Sequence, residues 1–245
     1  MQPTRVLLVR HGDSHHKVDD VNGGPRACRG LTDLGREQVA GLRDRFLASH
    51  EITGPVTVYS SMIPRAIETA EILAQAFGGA EVLRDCGLCT YHLPEWADGM
   101  SWEEINREHA VPGGGMFHPF QEGNEAWTDL AMRVSKALTR IAARHAGQNV
   151  LIATHAEAVQ ASLITFGMLP IYRHFEVRVS AASVTEWTTD DDPSAPWESS
   201  ADPRLPVRWT LARLNDAAHA AHAARAAHAV PGPSALGPAG SATRR

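Results

Sequence analysis

Two arginines and two histidines in this sequence are suited to binding an oxyanion and reacting with it. Arg10 and His11 directly follow a short aliphatic run at residues 6–9, and His155 directly follows a second run at 149–154. Arg65 lies near the start of a segment with helical spacing. Guanidinium groups match the geometry of phosphate oxygens, and a neutral imidazole can attack phosphorus. These side chains therefore predict an oxyanion pocket, provided that the fold brings them together.

The elements around these residues predict how they meet. Both aliphatic runs are typical of strands buried in a parallel sheet. In an open α/β sheet, ligands bind beyond the carboxyl ends of the strands, where Arg10, His11 and His155 stand. A cation in the first turn of a helix, such as Arg65, indicates a nearby anion because the helix N-terminus is itself positive.

The rest of the chain alternates strands and helices, which favours parallel βαβ units in an α/β fold. Further strands are predicted at residues 56–59, 81–84, 176–179, 182–188 and 207–212, and helices at 35–49, 60–77, 101–108, 125–145 and 156–166.

Composition excludes several classes of protein. The chain has 245 residues, 43% of them hydrophobic and 21% charged, which is ordinary for a globular domain. The formal net charge of -5 argues against a nucleic-acid partner. No run approaches the roughly 18 apolar residues of a membrane span, and no signal peptide is recognised, so we expect no membrane association and a cytoplasmic location. The odd number of cysteines predicts no disulfide framework.

Two irregular segments are candidates for substrate recognition. The loop at 13–30 carries Lys17, Arg26 and Arg29, which we predict to bind substrate because long loops in compact domains are often functional. The segment at 90–124 is rich in aromatic residues and is interpreted as an insert over the active site. Residues 217–245, rich in Ala, His, Pro and Gly, are predicted to form a disordered tail.

A metal or redox site has weak support. Cys86 and Cys89 match C-x-x-C, but the second pair of ligands that a zinc site needs is missing. The adjacent His15 and His16 are poorly placed to share one ion. We therefore predict no metal and no cofactor.

Four motifs together resemble the histidine phosphatase, or phosphoglycerate-mutase-like, superfamily, branch 1. They lie in the family's order within residues 5–165: 9–12 (VRHG), 30–35 (GLTDLG), 59–70 around Arg65, and Thr154-His155. The chain is most similar to small-molecule phosphatases of actinobacterial type, and its high Ala, Arg and Gly content agrees with a GC-rich genome.

The resemblance implies a three-layer α/β/α sandwich with a mainly parallel sheet, and one domain over residues 1–216. It implies that His11 is the phosphorylated nucleophile. It also implies that Arg10 and Arg65 clamp the phosphate and that His155 is the second histidine of the pocket.

The sequence departs from the family pattern at three positions. Lys17 replaces a usual Asn, and Ala156-Glu157 follows His155 where Gly is usual. Thr90 occupies the place of the Glu that normally protonates the leaving group. Glu95 is our candidate for a replacement acid, and Asp98 and His92 are alternatives.

The predicted function is hydrolysis of a small phosphorylated metabolite through a phosphohistidine at His11. A mutase-type phosphotransferase is one alternative. Another is an acid-poor relative, repurposed or binding an anion, because Thr90 cannot act as a general acid near neutral pH. The predicted partner is a small phosphate ester or other anion, and a homodimer is an open possibility.

Overall fold

The computed structural model describes residues 2–172, 175–189 and 208–220. These residues form one mixed sheet with the strand order β3-β2-β4-β1-β5-β6. The strands are β1 (Arg5–Arg10), β2 (Val56–Ser60), β3 (Val82–Arg84), β4 (Asn149–Thr154), β5 (Val184–Thr189) and β6 (Trp209–Asp216). The first four in spatial order pair in parallel, and β5 runs antiparallel to both of its neighbours. The predicted mainly parallel sheet is confirmed.

Helices cover both faces of the sheet. They are α1 (His15–Val18), α2 (Asp33–Ser49), α3 (Pro64–Ala74), α4 (Trp102–Glu108), α5 (Trp127–Arg144) and α6 (Ala156–Thr165). Successive residues of β1 point to opposite faces, so Leu7 and Val9 pack in the core beneath α2 and α3. Val6 and Leu8 pack in the second core, beneath α5 and α6. The three layers follow from this division.

The central position of β1 brings two predicted site residues to one edge. Arg10, the last residue of β1, is the register partner of Thr154, the last residue of β4. The His11 amide then donates to the Thr154 carbonyl over 2.9 Å. His11 and His155 therefore follow adjacent parallel strands at the same carboxyl edge.

The loop after β1 is held by close backbone packing. Thr32 Oγ1 caps α2 by accepting from the Gly35 amide over 3.0 Å. A Cβ at Gly35 would lie 2.0 Å from the Asp13 carbonyl oxygen, and one at Gly12 would lie 2.5 Å from the Gly35 carbonyl oxygen. Only glycine fits at these two positions, and their packing fixes the backbone on which His11 stands.

Residues 176–179 do not form the predicted strand. Val177 and Val179 are buried, which explains the strand-like pattern, but side chains satisfy their carbonyl groups instead of a neighbouring strand. Gln160 Nε2 donates to the Val177 carbonyl over 2.8 Å, and Arg10 Nη1 donates to the Val179 carbonyl. The alternation of apolar and polar residues at 176–179 therefore does not by itself distinguish a strand from a buried loop.

Part of the predicted tail forms a turn that packs against the domain. Residues 218–220 form a 3₁₀ turn in which Ala220 is buried and His219 Nε2 lies 2.9 Å from the Ala182 carbonyl oxygen. The remainder of the predicted tail, 221–245, lies outside the described residues.

In the described part of the chain, no helix has the length and apolar character needed to cross a bilayer.

Candidate active site

A cavity of about 250 Å³ opens at the carboxyl edge of β1 and β4. Its floor includes Arg10, His11, Arg65 and His155, so the structure brings the four residues predicted for the oxyanion pocket together. Aromatic and aliphatic side chains from the insert form part of its wall: Tyr91, Leu93, Trp102 and Phe120. The cavity is therefore cationic at its base and apolar toward the insert.

His11 is held with one ring nitrogen available to a substrate. Its side chain is buried, and Nδ1 lies 2.7 Å from the carbonyl oxygen of Gly12. A carbonyl only accepts hydrogen bonds, so Nδ1 carries the proton. Nε2 is then the unprotonated nitrogen, and it accepts from Arg65 Nε over 3.2 Å. This tautomer presents a lone pair toward the cationic base of the cavity.

Arg65 is a buried cation that holds the site together. It is the second residue of α3, after Pro64, and its side chain lies between the two histidines. Nη1 donates to the Gly23 carbonyl over 2.6 Å, and Nη2 donates to His155 Nδ1 over 3.4 Å. Among the described residues, no carboxylate forms an ion pair with Arg65. A buried guanidinium with only neutral partners is a receptor for an anion.

The second histidine is oriented by a serine. His155 Nδ1 accepts from Arg65, so Nε2 carries the ring proton and donates to Ser61 Oγ over 2.8 Å. Its ring centroid lies 5.2 Å from that of His11. Sequence reasoning gave Ser61 no role, although it lies within one of the motifs. The structure assigns it the positioning of His155.

Arg10 contributes the second guanidinium. Nη1 donates to the Val179 carbonyl, while Nε is buried with no hydrogen-bond partner among the described residues. Burial lowers the pKa of Arg10; the charge of Glu157 opposes this effect, and the nearby Arg65 adds to it. Two guanidiniums that face one cavity repel each other, and an oxyanion placed between them would offset this repulsion.

The residues predicted to bind substrate divide into two groups. Lys17, on α1, lines the cavity. Arg26 and Arg29 do not: Arg26 donates to the Glu95 carbonyl over 2.6 Å, and Arg29 pairs with Asp19 at the surface. Local carbonyl and carboxylate groups hold both side chains away from the cavity.

Glu95 is also outside the cavity. Its side chain is 91% exposed and lies 3.6 Å from Arg26 across a surface ion pair. Asp98 is buried but accepts from the Gly24 and Arg26 amides, both over 2.8 Å, and so anchors the loop to the insert. His92 Nε2 faces Cys86 Sγ at 3.3 Å. None of the three predicted replacement acids lines the cavity.

One carboxylate that the sequence did not single out as a site residue does line the cavity. Glu157, in the first turn of α6, accepts from Thr90 Oγ1 over 3.2 Å. The departure from the family pattern at Ala156-Glu157 was the available signal, but the sequence could not show that Glu157 lies close to Thr90.

His16 also lines the cavity. Burial, followed by the charge of Arg65, lowers the pKa of His16 to about 3.

A group of potential metal ligands lies elsewhere. The potential ligand atoms of Cys86, Cys89 and His92 lie within 4.8 Å of one another. In the described part of the chain, this is the one cluster of three or more such side chains close enough to share a metal ion. Three ligands are one fewer than a closed structural zinc site has. The group does not line the cavity that holds His11.

The two buried histidines predict a pH dependence of stability. Burial, followed by the charge of Arg65, holds the pKa values of His11 and His155 well below the ordinary value. Below about pH 6.5 the unfolded chain takes up protons at these positions and the folded protein does not, so stability present above that pH is lost as pH falls. Burial also lowers the pKa of His16 to about 3, and three such groups lower the free energy of unfolding by roughly 4 kcal/mol between pH 7 and pH 5.5.

Urea denaturation at the two pH values measures this loss. The variant His11→Asn removes one of the three groups and is expected to show about two thirds of the loss. An equal free energy of unfolding at both pH values would contradict neutral, buried histidines.

Comparison with known proteins identifies the same family as the motifs. The family model described as the histidine phosphatase superfamily (branch 1) matches residues 6–196. Phosphoglycerate mutase-like protein 4 of Arabidopsis thaliana is 28% identical over 169 residues, which cover 63% of this chain and 67% of that protein. Metal-independent phosphoserine phosphatase, also of Arabidopsis thaliana, is 29% identical over 164 residues, covering 64% of this chain and 66% of that protein. The chain thus spans about two thirds of the length of these relatives.

A solved structure has the same fold. The mycobacterial glucosyl-3-phosphoglycerate phosphatase, in complex with VO3, matches with a TM-score of 0.64 at 23% identity. The match covers 86% of this chain and 99% of that one. At this identity the likeness is one of fold.

Proposed function

The chain belongs to branch 1 of the histidine phosphatase superfamily and is a phosphatase, and from this premise we propose that it hydrolyses small phosphate monoesters through a phosphohistidine at His11. The observation that carries the proposal is the His11 ring. Its Nδ1 is protonated toward Gly12, and its Nε2 lone pair faces Arg65. One sequence relative is named as a phosphoserine phosphatase and one structural neighbour as a glucosyl-3-phosphoglycerate phosphatase. Both names support hydrolysis of a phosphate monoester as the reaction.

The proposed reaction has two displacements at phosphorus. His11 Nε2 forms a bond to phosphorus while the bond from phosphorus to the ester oxygen breaks, and the alcohol leaves with a proton. Water then attacks the phosphohistidine, the N–P bond breaks, and inorganic phosphate and neutral His11 result.

The surrounding cations stabilise both transition states. The guanidiniums of Arg10 and Arg65 and the His155 ring face the place where the phosphoryl oxygens would bind. Fixed donors in a site that excludes water need no reorganisation when charge moves onto those oxygens. The cavity of about 250 Å³ suits a small phosphorylated metabolite.

The experiment is a phosphate-release panel on aryl, acyl, sugar and amino-acid phosphates. Inorganic phosphate equal to the alcohol released is the expected result. Quenched reactions should also contain a phosphoenzyme that is stable in alkali and labile in acid, as a phosphoramidate is. Transfer of the phosphoryl group to an added alcohol or phosphoglycerate, without phosphate release, would instead indicate a mutase. A folded protein that forms neither phosphate nor phosphoenzyme would reject the proposal.

A further inference from the structure

The reaction proposed above needs a proton that none of its four residues supplies. The alcohol of an alkyl phosphate is a poor leaving group, so its oxygen must be protonated as the bond to phosphorus breaks. His11 Nε2 is the nucleophile, and the His155 ring proton is donated to Ser61. Both arginines hold their protons through the pH range of the reaction. A separate donor must therefore face the leaving group.

Glu157 is the carboxyl group that lines the cavity among the described residues. It lies at the second position of α6, two residues after His155, so the helix that follows β4 fixes its backbone. Thr90 Oγ1 donates to Oε2 over 3.2 Å, and Arg10 and Lys17 lie near enough to interact with the carboxyl charge, although no described cation forms an ion pair with it. The other carboxyl oxygen, Oε1, can therefore form a hydrogen bond to a substrate.

The wall around Glu157 places it beside the leaving group. Arg10, His11, Arg65 and His155 form the cationic base, while Thr90 and Tyr91 stand with Glu157 on the side of the insert. A phosphoryl group bound at the base directs its ester oxygen away from His11, because the attacking and leaving groups are in line. The apolar wall toward the insert then accommodates the alcohol.

His16 and Tyr91, which also line the cavity, are poorly suited as donors. Burial lowers the pKa of His16 to about 3, so its ring is neutral at pH 7. Burial, followed by the charge of Glu157, raises the pKa of Tyr91 to about 12, which makes its hydroxyl a weak acid. Glu95, the acid expected from the sequence, is 91% exposed at the surface.

We propose that Glu157 is the proton donor to the leaving group, held by Thr90. The inference rests on the proposed phosphohistidine reaction. The carboxyl proton moves to the ester oxygen as the P–O bond breaks, and the carboxylate then accepts a proton from the water that attacks the phosphohistidine. Each turnover returns Glu157 to its starting state.

The test measures the rate of phosphoenzyme formation by rapid quench with two substrates. Phosphoserine has a leaving group that needs protonation, and p-nitrophenyl phosphate has one that hardly does. The isosteric Glu157→Gln should slow the phosphoserine reaction about 10²- to 10⁴-fold and leave the p-nitrophenyl phosphate reaction nearly unchanged. Methyl phosphate replaces phosphoserine if the wild type does not accept the amino acid.

Two matched variants remove other candidate donors. Glu95→Gln and Tyr91→Phe are each expected to keep the ratio of the two rates. A third variant moves the acid: Thr90→Glu combined with Glu157→Gln places the carboxyl group at position 90 and an amide at position 157. This double variant should recover part of the alkyl phosphate rate, because the two side chains are in hydrogen-bond contact.

Each outcome decides between the hypotheses. Equal slowing of both substrates by Glu157→Gln would overturn the proposal and assign Glu157 to binding. Selective slowing by Glu95→Gln or Tyr91→Phe would overturn it in favour of that residue. A wild-type protein that forms no phosphoenzyme with p-nitrophenyl phosphate would instead reject the phosphohistidine reaction. If phosphoenzyme forms and Glu157→Gln keeps the rate ratio, only the role of Glu157 fails.

Discussion

Replacing His11 with alanine is expected to reduce turnover of every phosphate ester by about 10⁴-fold or more, with no phosphoenzyme detectable. The ring supplies the only protein atom that the proposed mechanism bonds to phosphorus, and a better leaving group on the substrate cannot replace it. Arg65 Nε would lose its 3.2 Å contact to Nε2 but would keep its donation to the Gly23 carbonyl, so the anion receptor should survive.

The measurements are steady-state phosphate release and mass spectrometry of the quenched enzyme. The matched control is His15→Ala, which removes an imidazole that does not line the cavity. The His11→Ala variant should still bind inorganic phosphate or vanadate, seen as a rise in Tm. Turnover by His11→Ala within tenfold of the wild type would show that another group or a water molecule attacks phosphorus.

The second large effect is expected at Arg65. Replacement with methionine should lower kcat/KM by about 10²- to 10³-fold, because a fixed donor to the phosphoryl oxygens is lost. Arg65→Lys should recover little of this loss. A single ammonium group cannot contact His11, Gly23 and His155 together, as the planar guanidinium does.

The same change should raise stability. Arg65 is buried beside Arg10, and no described carboxylate pairs with it, so its charge is held at a cost to folding. We therefore expect Arg65→Met to have a higher Tm than the wild type in the absence of ligand, and to gain nothing from added phosphate. A lower Tm together with preserved phosphate binding would mean that Arg65 serves the fold and not the anion.

Much of the site follows from local sequence patterns. The runs before His11 and His155 predict buried strands, and the structure has both histidines at the carboxyl ends of those strands, as the pattern predicts. The position of Arg65 also indicates an anion site from sequence alone, because a cation in the first turn of a helix is unfavourable unless an anion lies nearby.

The proton donor shows where such reasoning stops. Thr90 and Glu157 are far apart in the chain and meet because the segment after β3 and the start of α6 reach the same edge of the sheet. Glu95 is closer in sequence to Thr90, but Arg26 holds it at the surface. Side-chain direction in irregular segments depends on tertiary partners, and these are absent from a local pattern.

The central place of β1 has a consequence for biosynthesis. Residues Arg5–Arg10 are made before the other strands of this sheet, but their neighbours are β4 and β5, which come late in the domain. At ~5–20 residues per second, the strand waits roughly 7 to 30 s before the first of these neighbours is made. During that time both edges of an aliphatic strand are unpaired, which invites association with other chains. The strand that carries the nucleophile is thus the segment for which a nascent-chain chaperone would matter most.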